Sequence, residues 1–135
     1  MKNHFKSEKG NVIIEFTVTA IALFVPIVYV AIAAIQIATG YIEVQNVARV
    51  SARIFATSSD DSVGKAKVQY ATNASLGTGE NIKVSFDCSA NPCLQPGELV
   101  KVSVTKRINL QLPGFNYSPS VDVSGIQAEV VQDLR

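Results

Sequence analysis

The sequence predicts an α+β chain: a long N-terminal helix, first membrane-spanning and then amphipathic, packed on a small three-stranded antiparallel sheet. Three observations carry this. Residues 16–38 form an uncharged apolar run. Residues 41–56 place apolar side chains on one arc of a 3.6-residue wheel. The last third of the chain alternates apolar and polar residues with a period of two, between turn signals.

The chain has 135 residues and a formal net charge of +1, which suits one small unit and gives no electrostatic footprint for nucleic acid. The charge is unevenly placed. Residues 1–10 hold Lys2, Lys6 and Lys9 against Glu8, whereas Phe16–Ala38 holds none. That run is 23 residues long, with Thr17, Thr19 and Gln36 as its clearly polar members. At about 1.5 Å per residue it is long enough for a hydrocarbon core of about 30 Å. A 135-residue domain could hardly enclose such a helix on every side. The lysines crowd its N-terminal flank, while Arg49 and Arg53 lie farther away on the other side. The positive-inside bias then keeps the N-terminus cytoplasmic and exports the remainder as a single-pass protein of the cytoplasmic membrane. A cleaved secretory signal is the competing reading, with Ala31, Ala33 and Ala34 as small residues for a cleavage site, but its apolar region is usually shorter, about 7–15 residues. Pro26 should bend or loosen the helix, and Gly40 marks a second soft point where the chain leaves the membrane.

From Tyr41 the helix becomes two-faced. Val44, Val47, Val50, Ile54 and Phe55, with Ala48 and Ser51, fill one arc; Gln45, Asn46, Arg49 and Arg53 fill the other. The polar stretch Thr57–Ser62 ends it and offers Ser and Asp caps for a second helix, with the Asp60-Asp61 pair read as capping chemistry. In that helix Val63, Ala66 or Lys67, Tyr70 and Ala74 recur at helical spacing, and Gly77-Thr78-Gly79 turns the chain out of it. Strands follow at Ile82–Phe86, at Leu99–Ile108 and from Val121 towards Val130. The expected organisation is a leader 1–10, a membrane segment 11–40 and an exported domain 41–135. That domain comprises an amphipathic helix 41–57, a short helix 61–76 and a sheet 80–132.

Cys88 and Cys93 enclose a tight loop between the first two strands. In an exported domain an even cysteine count points to a disulfide, worth about 2 kcal/mol for so short a loop. In a reducing compartment they are a pair of thiols. The C-x-x-x-x-C spacing is not the redox C-x-x-C, and two thiols make too few ligands for zinc. His4, the only histidine, lies in the leader, so the exported part has no imidazole for nucleophilic catalysis, and its acids are dispersed. No enzymatic activity, cofactor, metal or small-molecule substrate is expected.

Glu15 remains. An acid at the centre of a membrane helix costs about 2.5–3.5 kcal/mol, and less towards its ends. On chemistry alone it is either a snorkelling interfacial residue or a group held for function. The stretch from Gly10 through Asn11 to Glu15-Phe16 resembles a class III prepilin signal, a leader ending in glycine with glutamate at the fifth mature position. Glu15 followed by Phe16 is most similar to the tight-adherence (Tad, or Flp) type IV pilus branch. Together with the long anchor helix, the Ala/Arg-rich extension at 48–53 and the small sheet domain, it resembles the TadE-like minor pilins and pseudopilins. The resemblance is specific over residues 6–56. The chain is longer than the major Flp pilins, and Asn11 differs from the Phe or Met that starts many mature type IV pilins.

The resemblance implies a pilin-like fold and cleavage by a membrane-embedded prepilin peptidase between Gly10 and Asn11. It assigns Glu15 and Phe16 to processing and assembly. The implied role is initiation, priming or capping of a Tad/Flp pilus or a related secretion apparatus, with other pilins and the assembly platform as partners. Cleavage would create an ammonium at Asn11, and the Glu15 carboxylate of a neighbouring parallel helix could pair with it, offsetting part of each charge's desolvation. The other reading is a single-pass anchored binding module, a sensor or adhesin, outside any filament.

Overall fold

The computed structural model describes residues 8–78, 81–114 and 116–132, and no side chain before Val12. Helix α1 runs unbroken from Glu8 to Ala56, α2 covers Asp61–Leu76, and the strands are β1 (Ile82–Cys88), β2 (Leu99–Asn109) and β3 (Ser120–Val130). The strands form one antiparallel sheet in the order β1-β2-β3. The expected α+β architecture is the one observed, and the second helix has the expected limits.

β2 is the centre of the molecule. Its alternation puts Val100, Val102 and Val104 on one face, all fully buried. That face meets α1 through Val44, Val47, Ala48, Ala52 and Phe55, the buried stripe of the helix's second half. Burying each such valine contributes about 1.5–3 kcal/mol, so this contact dominates the stability. Phe86 of β1 closes one end, its ring centroid 4.8 Å from that of Phe55. The helix lies so close to β3 that a Cβ on Gly125 would stand 2.8 Å from the Val44 carbonyl oxygen, and only glycine leaves room there.

Three expectations need correcting. Val50 is not on the buried arc: it is 54% exposed, because the stripe drifts to Ala52 and Ala56, whose small side chains allow closer packing. On α2 the inward face is Gly64, Val68 and Thr72. Val63 and Tyr70 point outward, Tyr70 being 79% exposed. The reason is steric: Gly64 abuts the Phe55 ring, so the helix approaches along its smallest residues rather than its most apolar ones. The buried Ser51 and Thr72 hydroxyls face each other at 3.4 Å across the two helices. Third, Gly40 is no soft exit point. It is buried under Ile108 of β2, whose Cδ1 occupies the place a Cβ would take.

Gly40 belongs to a longer contact. Tyr29, Ile32, Ala33, Gln36 and Ile37 are half-buried at helical spacing, so the covered face begins well inside the apolar run. The β2–β3 connection lies against it. Gln36 donates from Nε2 to the Gln111 carbonyl at 3.0 Å and accepts from the Gln111 amide at 3.0 Å. The Tyr29 hydroxyl donates to the Pro113 carbonyl at 2.5 Å.

α1 continues through Pro26. It ends where the Thr57 and Ser58 hydroxyls donate to the Arg53 and Ile54 carbonyls, at 2.9 and 2.6 Å, taking up groups that the last turn leaves unpaired. Asp60 is the N-cap of α2 by position, with its carboxylate accepting from the Ser62 hydroxyl. That bond holds its pKa below the ordinary aspartate value.

The Gly125 contact gives the first test. Gly125→Ala in the full chain, in detergent, should lower stability by about 1–3 kcal/mol, the usual cost of overpacking, read as an earlier thermal transition. An unchanged midpoint would show that α1 and β3 can separate at no cost.

Candidate functional site

The sequence-derived candidates fall into two groups far apart along the chain. Gly10 and Asn11 lie in the backbone of α1, two and three residues after its start, and their side chains are outside the described residues. Residues 1–7 of the expected leader are outside them as well. Glu15 and Phe16 follow on the same helix, both exposed, Phe16 by 74%. Cys88 and Cys93 are joined in the loop after β1, packed against the core. The structure therefore brings Gly10, Asn11, Glu15 and Phe16 together and leaves the cysteines apart from them.

A helix forces one relation within the first group. Asn11 and Glu15 are four residues apart, so they share a face, and side chains on a helix lean towards its N-terminus. A chain beginning at Asn11 would carry its ammonium one turn below Glu15. The carboxylate would stand near the positive end of the helix dipole, where an acid is stabilised by about 0.3–1 kcal/mol at exposed positions.

Around this site the helix is bare. Val12, Ile13, Ile14, Phe16, Val18, Ile21, Leu23 and Phe24 are each more than half exposed. The 45-residue stretch Val12–Ala56 contains an apolar window with a mean hydropathy of 2.6, none of it buried within the chain. A helix apolar all round and uncovered needs another apolar surface, lipid or neighbouring helices. By length and composition α1 can cross a membrane. Thr17 donates to the Ile13 carbonyl at 2.8 Å, so this hydroxyl needs no outside partner.

The second group is a structural lock. The Cys88–Cys93 disulfide closes the loop after β1, with the Cα atoms 5.2 Å apart. Asp61 holds this loop: its carboxylate accepts from the Cys93 amide at 2.9 Å and the Leu94 amide at 3.1 Å. The sequence suggests for Asp61 only its half of a capping pair. Its reach to a segment 32 residues away had no local signal. Gln36 carried a better one, as the only amide in the apolar run, although its partner could not be named.

Charges gather at one level. Lys106 meets Glu43 at 3.0 Å, and Arg107 meets Asp122 at 2.8 Å. The Arg107 hydrogen bond draws the Asp122 pKa below its ordinary value and raises that of Arg107, but both side chains are half exposed, so the pair adds little stability. An open groove between α1 and β2 lies beside these pairs, lined by Gln36, Thr39, Gly40, Glu43 and Lys106. Among the described residues no three His, Cys, Asp or Glu side chains gather as they would around a metal.

Comparisons with protein families, with characterised proteins and with solved structures find no match.

The loop lock is open to test. Asp61→Ala removes the acceptor of two part-buried amides, a loss of about 1–3 kcal/mol. The Cys93 and Leu94 amides should exchange hydrogen faster while the disulfide persists. Unaltered exchange at both would mean that the disulfide alone holds the loop.

Proposed function

We propose that the chain is a membrane-anchored minor pilin or pseudopilin that takes part in assembling a Tad/Flp-type pilus or a related secretion apparatus. The observation that carries this is the position of Glu15. It stands five residues beyond Gly10 on the bare half of one continuous helix whose other half is fastened to a small sheet. Such a helix has an uncovered apolar surface for lateral contact with parallel copies or other pilins. A carboxylate one turn from a new N-terminus gives that contact an axial register. The prepilin peptidase would act between Gly10 and Asn11, leaving residues 1–10 on the cytoplasmic side and the sheet domain exported.

Each step has its own experiment. Cleavage after Gly10 removes three lysines and one glutamate, moving the formal charge from +1 to −1. Mass spectrometry of the protein from cells with an active prepilin peptidase should give a chain starting at Asn11, and Gly10→Val should abolish that processing. An intact N-terminus would point instead to an anchored binding module outside any filament.

Glu15→Gln keeps the shape and removes the charge. The variant should be inserted and cleaved, with its sheet domain unchanged. It should nevertheless fail to co-assemble, because an unpaired ammonium near the membrane edge costs about one or two kcal/mol per subunit contact, less than the 3–5 of full burial. Normal piliation by this variant would make Glu15 an interfacial residue only.

A further inference from the structure

The β2–β3 connection, Leu110–Pro119, is closed at its base by the Leu110 amide donating to the Pro119 carbonyl at 2.8 Å. From Ile108 to Val121 no residue carries a charge, and none does on α1 from Phe16 to Ile42. The first charges met on both paths are Glu43 on the helix and Lys106, Arg107 and Asp122 on the strands, and these pair with one another. Below that belt, loop and helix form one uncharged body. Along α1 it reaches from Glu43 down to Glu15, about 42 Å at helical rise, close to the about 40–45 Å of a whole bilayer with its headgroups.

The loop's place in that body follows from its bonds. Pro113 is held at the level of Tyr29 and Gln111 at the level of Gln36. If the apolar run 16–38 were centred in the bilayer, Tyr29 would sit about 3 Å beyond the midplane. The irregular backbone of the loop would then lie deep in hydrocarbon, where lipid-exposed non-helical segments do not occur. The loop therefore cannot ride that low. Its composition fits the layer just above: Leu112, Pro113 and an exposed Tyr117, with Asn and Ser but no charge, is the mixture found at headgroup level.

We propose that the described part of the β2–β3 loop, residues 110–114 and 116–119, is a membrane-interface contact, lying in the headgroup layer on the domain's side and setting the depth at which α1 crosses. The proposal rests on α1 crossing a membrane. With the hydrocarbon edge at Tyr29–Val30, a core of about 30 Å extends 20 residues back, to Lys9–Gly10. The crossing segment is then roughly residues 10–30 instead of 16–38, and Glu15 lies about 8 Å inside the hydrocarbon. The loop's lipid contact and the depth of Glu15 are set by the same two lashings, at Tyr29 and Gln36.

The chain has no tryptophan, so a single one reports its own surroundings. The full chain would be reconstituted in phosphatidylethanolamine–phosphatidylglycerol vesicles containing lipids brominated either near the headgroup or near the chain end. Four variants serve: Tyr117→Trp and Asn116→Trp in the loop, Ile21→Trp near the calculated mid-depth, and Tyr70→Trp on α2. Ser51 and Thr72 hold α2 at a level about 33 Å above Tyr29. Ile21→Trp should be quenched by the deep bromines. Tyr117→Trp should be quenched by the shallow bromines at least about twofold more than Tyr70→Trp, with blue-shifted emission, as expected at an interface. Asn116→Trp should behave alike, and serves if Tyr117→Trp does not fold. Quenching of Ile21→Trp with neither loop variant exceeding Tyr70→Trp would overturn the loop contact and leave the span standing. No quenching at Ile21 would overturn the membrane span and this proposal with it.

Discussion

Everything in this molecule depends on one helix having to satisfy two different apolar surroundings without a break. Between Val44 and Phe55, α1 buries a narrow stripe against the valines of β2. Between Phe16 and Phe24 it is uncharged on all sides and covered by none of the described residues. The first contact fixes the sheet; α1 also seats α2 where Gly64 meets the Phe55 ring, and α2 in turn holds the disulfide loop through Asp61. The second leaves a demand that the chain alone cannot meet. No residue marks the change between them: the helix is continuous through Pro26 and Gly40.

The broad architecture could be read directly because it is written in periodicity. Val100, Val102 and Val104 alternate, Val44, Val47, Ser51 and Phe55 recur at helical spacing, and both patterns report burial by hydrophobicity. What escaped the reading was decided by size or by distant polar pairing. The inward face of α2 is set by Gly64 and Thr72, which no hydrophobic pattern selects, and Val50 is displaced by alanines that pack closer. The Gln36–Gln111 and Tyr29–Pro113 bonds join segments 75 and 84 residues apart, and a single sequence has no signal for such pairs. At the candidate site, the spacing of Gly10, Asn11, Glu15 and Phe16 was legible because a helix turns it directly into geometry. On the proposed loop contact, how deep those residues lie depends on a connection that the sequence marks only by its Pro and Gly.

The uncharged body below the Glu43–Lys106 belt changes what Glu15 means physically. A charge held at a fixed depth by contacts elsewhere cannot reach water by sliding the whole span. Its ways out are to snorkel, to pair or to leave the membrane. On the proposed pilin reading, a subunit that left the bilayer for a bundle of like helices would exchange lipid for protein around the same bare surface, and at Glu15 an ammonium at the right height would favour the exchange.

The fastening of α1 also has a mechanical side. Its attachments to the rest of the chain are spread from Tyr29 through Gln36, Glu43 and Val44 to Ser51 and Phe55, about 39 Å of helix. Tension applied along the axis at the N-terminal end loads these contacts side by side, as shear, and does not peel them one at a time. The sheet domain is then drawn along as a single piece. These contacts do not brace the segment ahead of Tyr29, where Pro26 lacks the amide that would have bonded to the preceding turn. The molecule is a shank braced along its second half and unbraced at its N-terminal end.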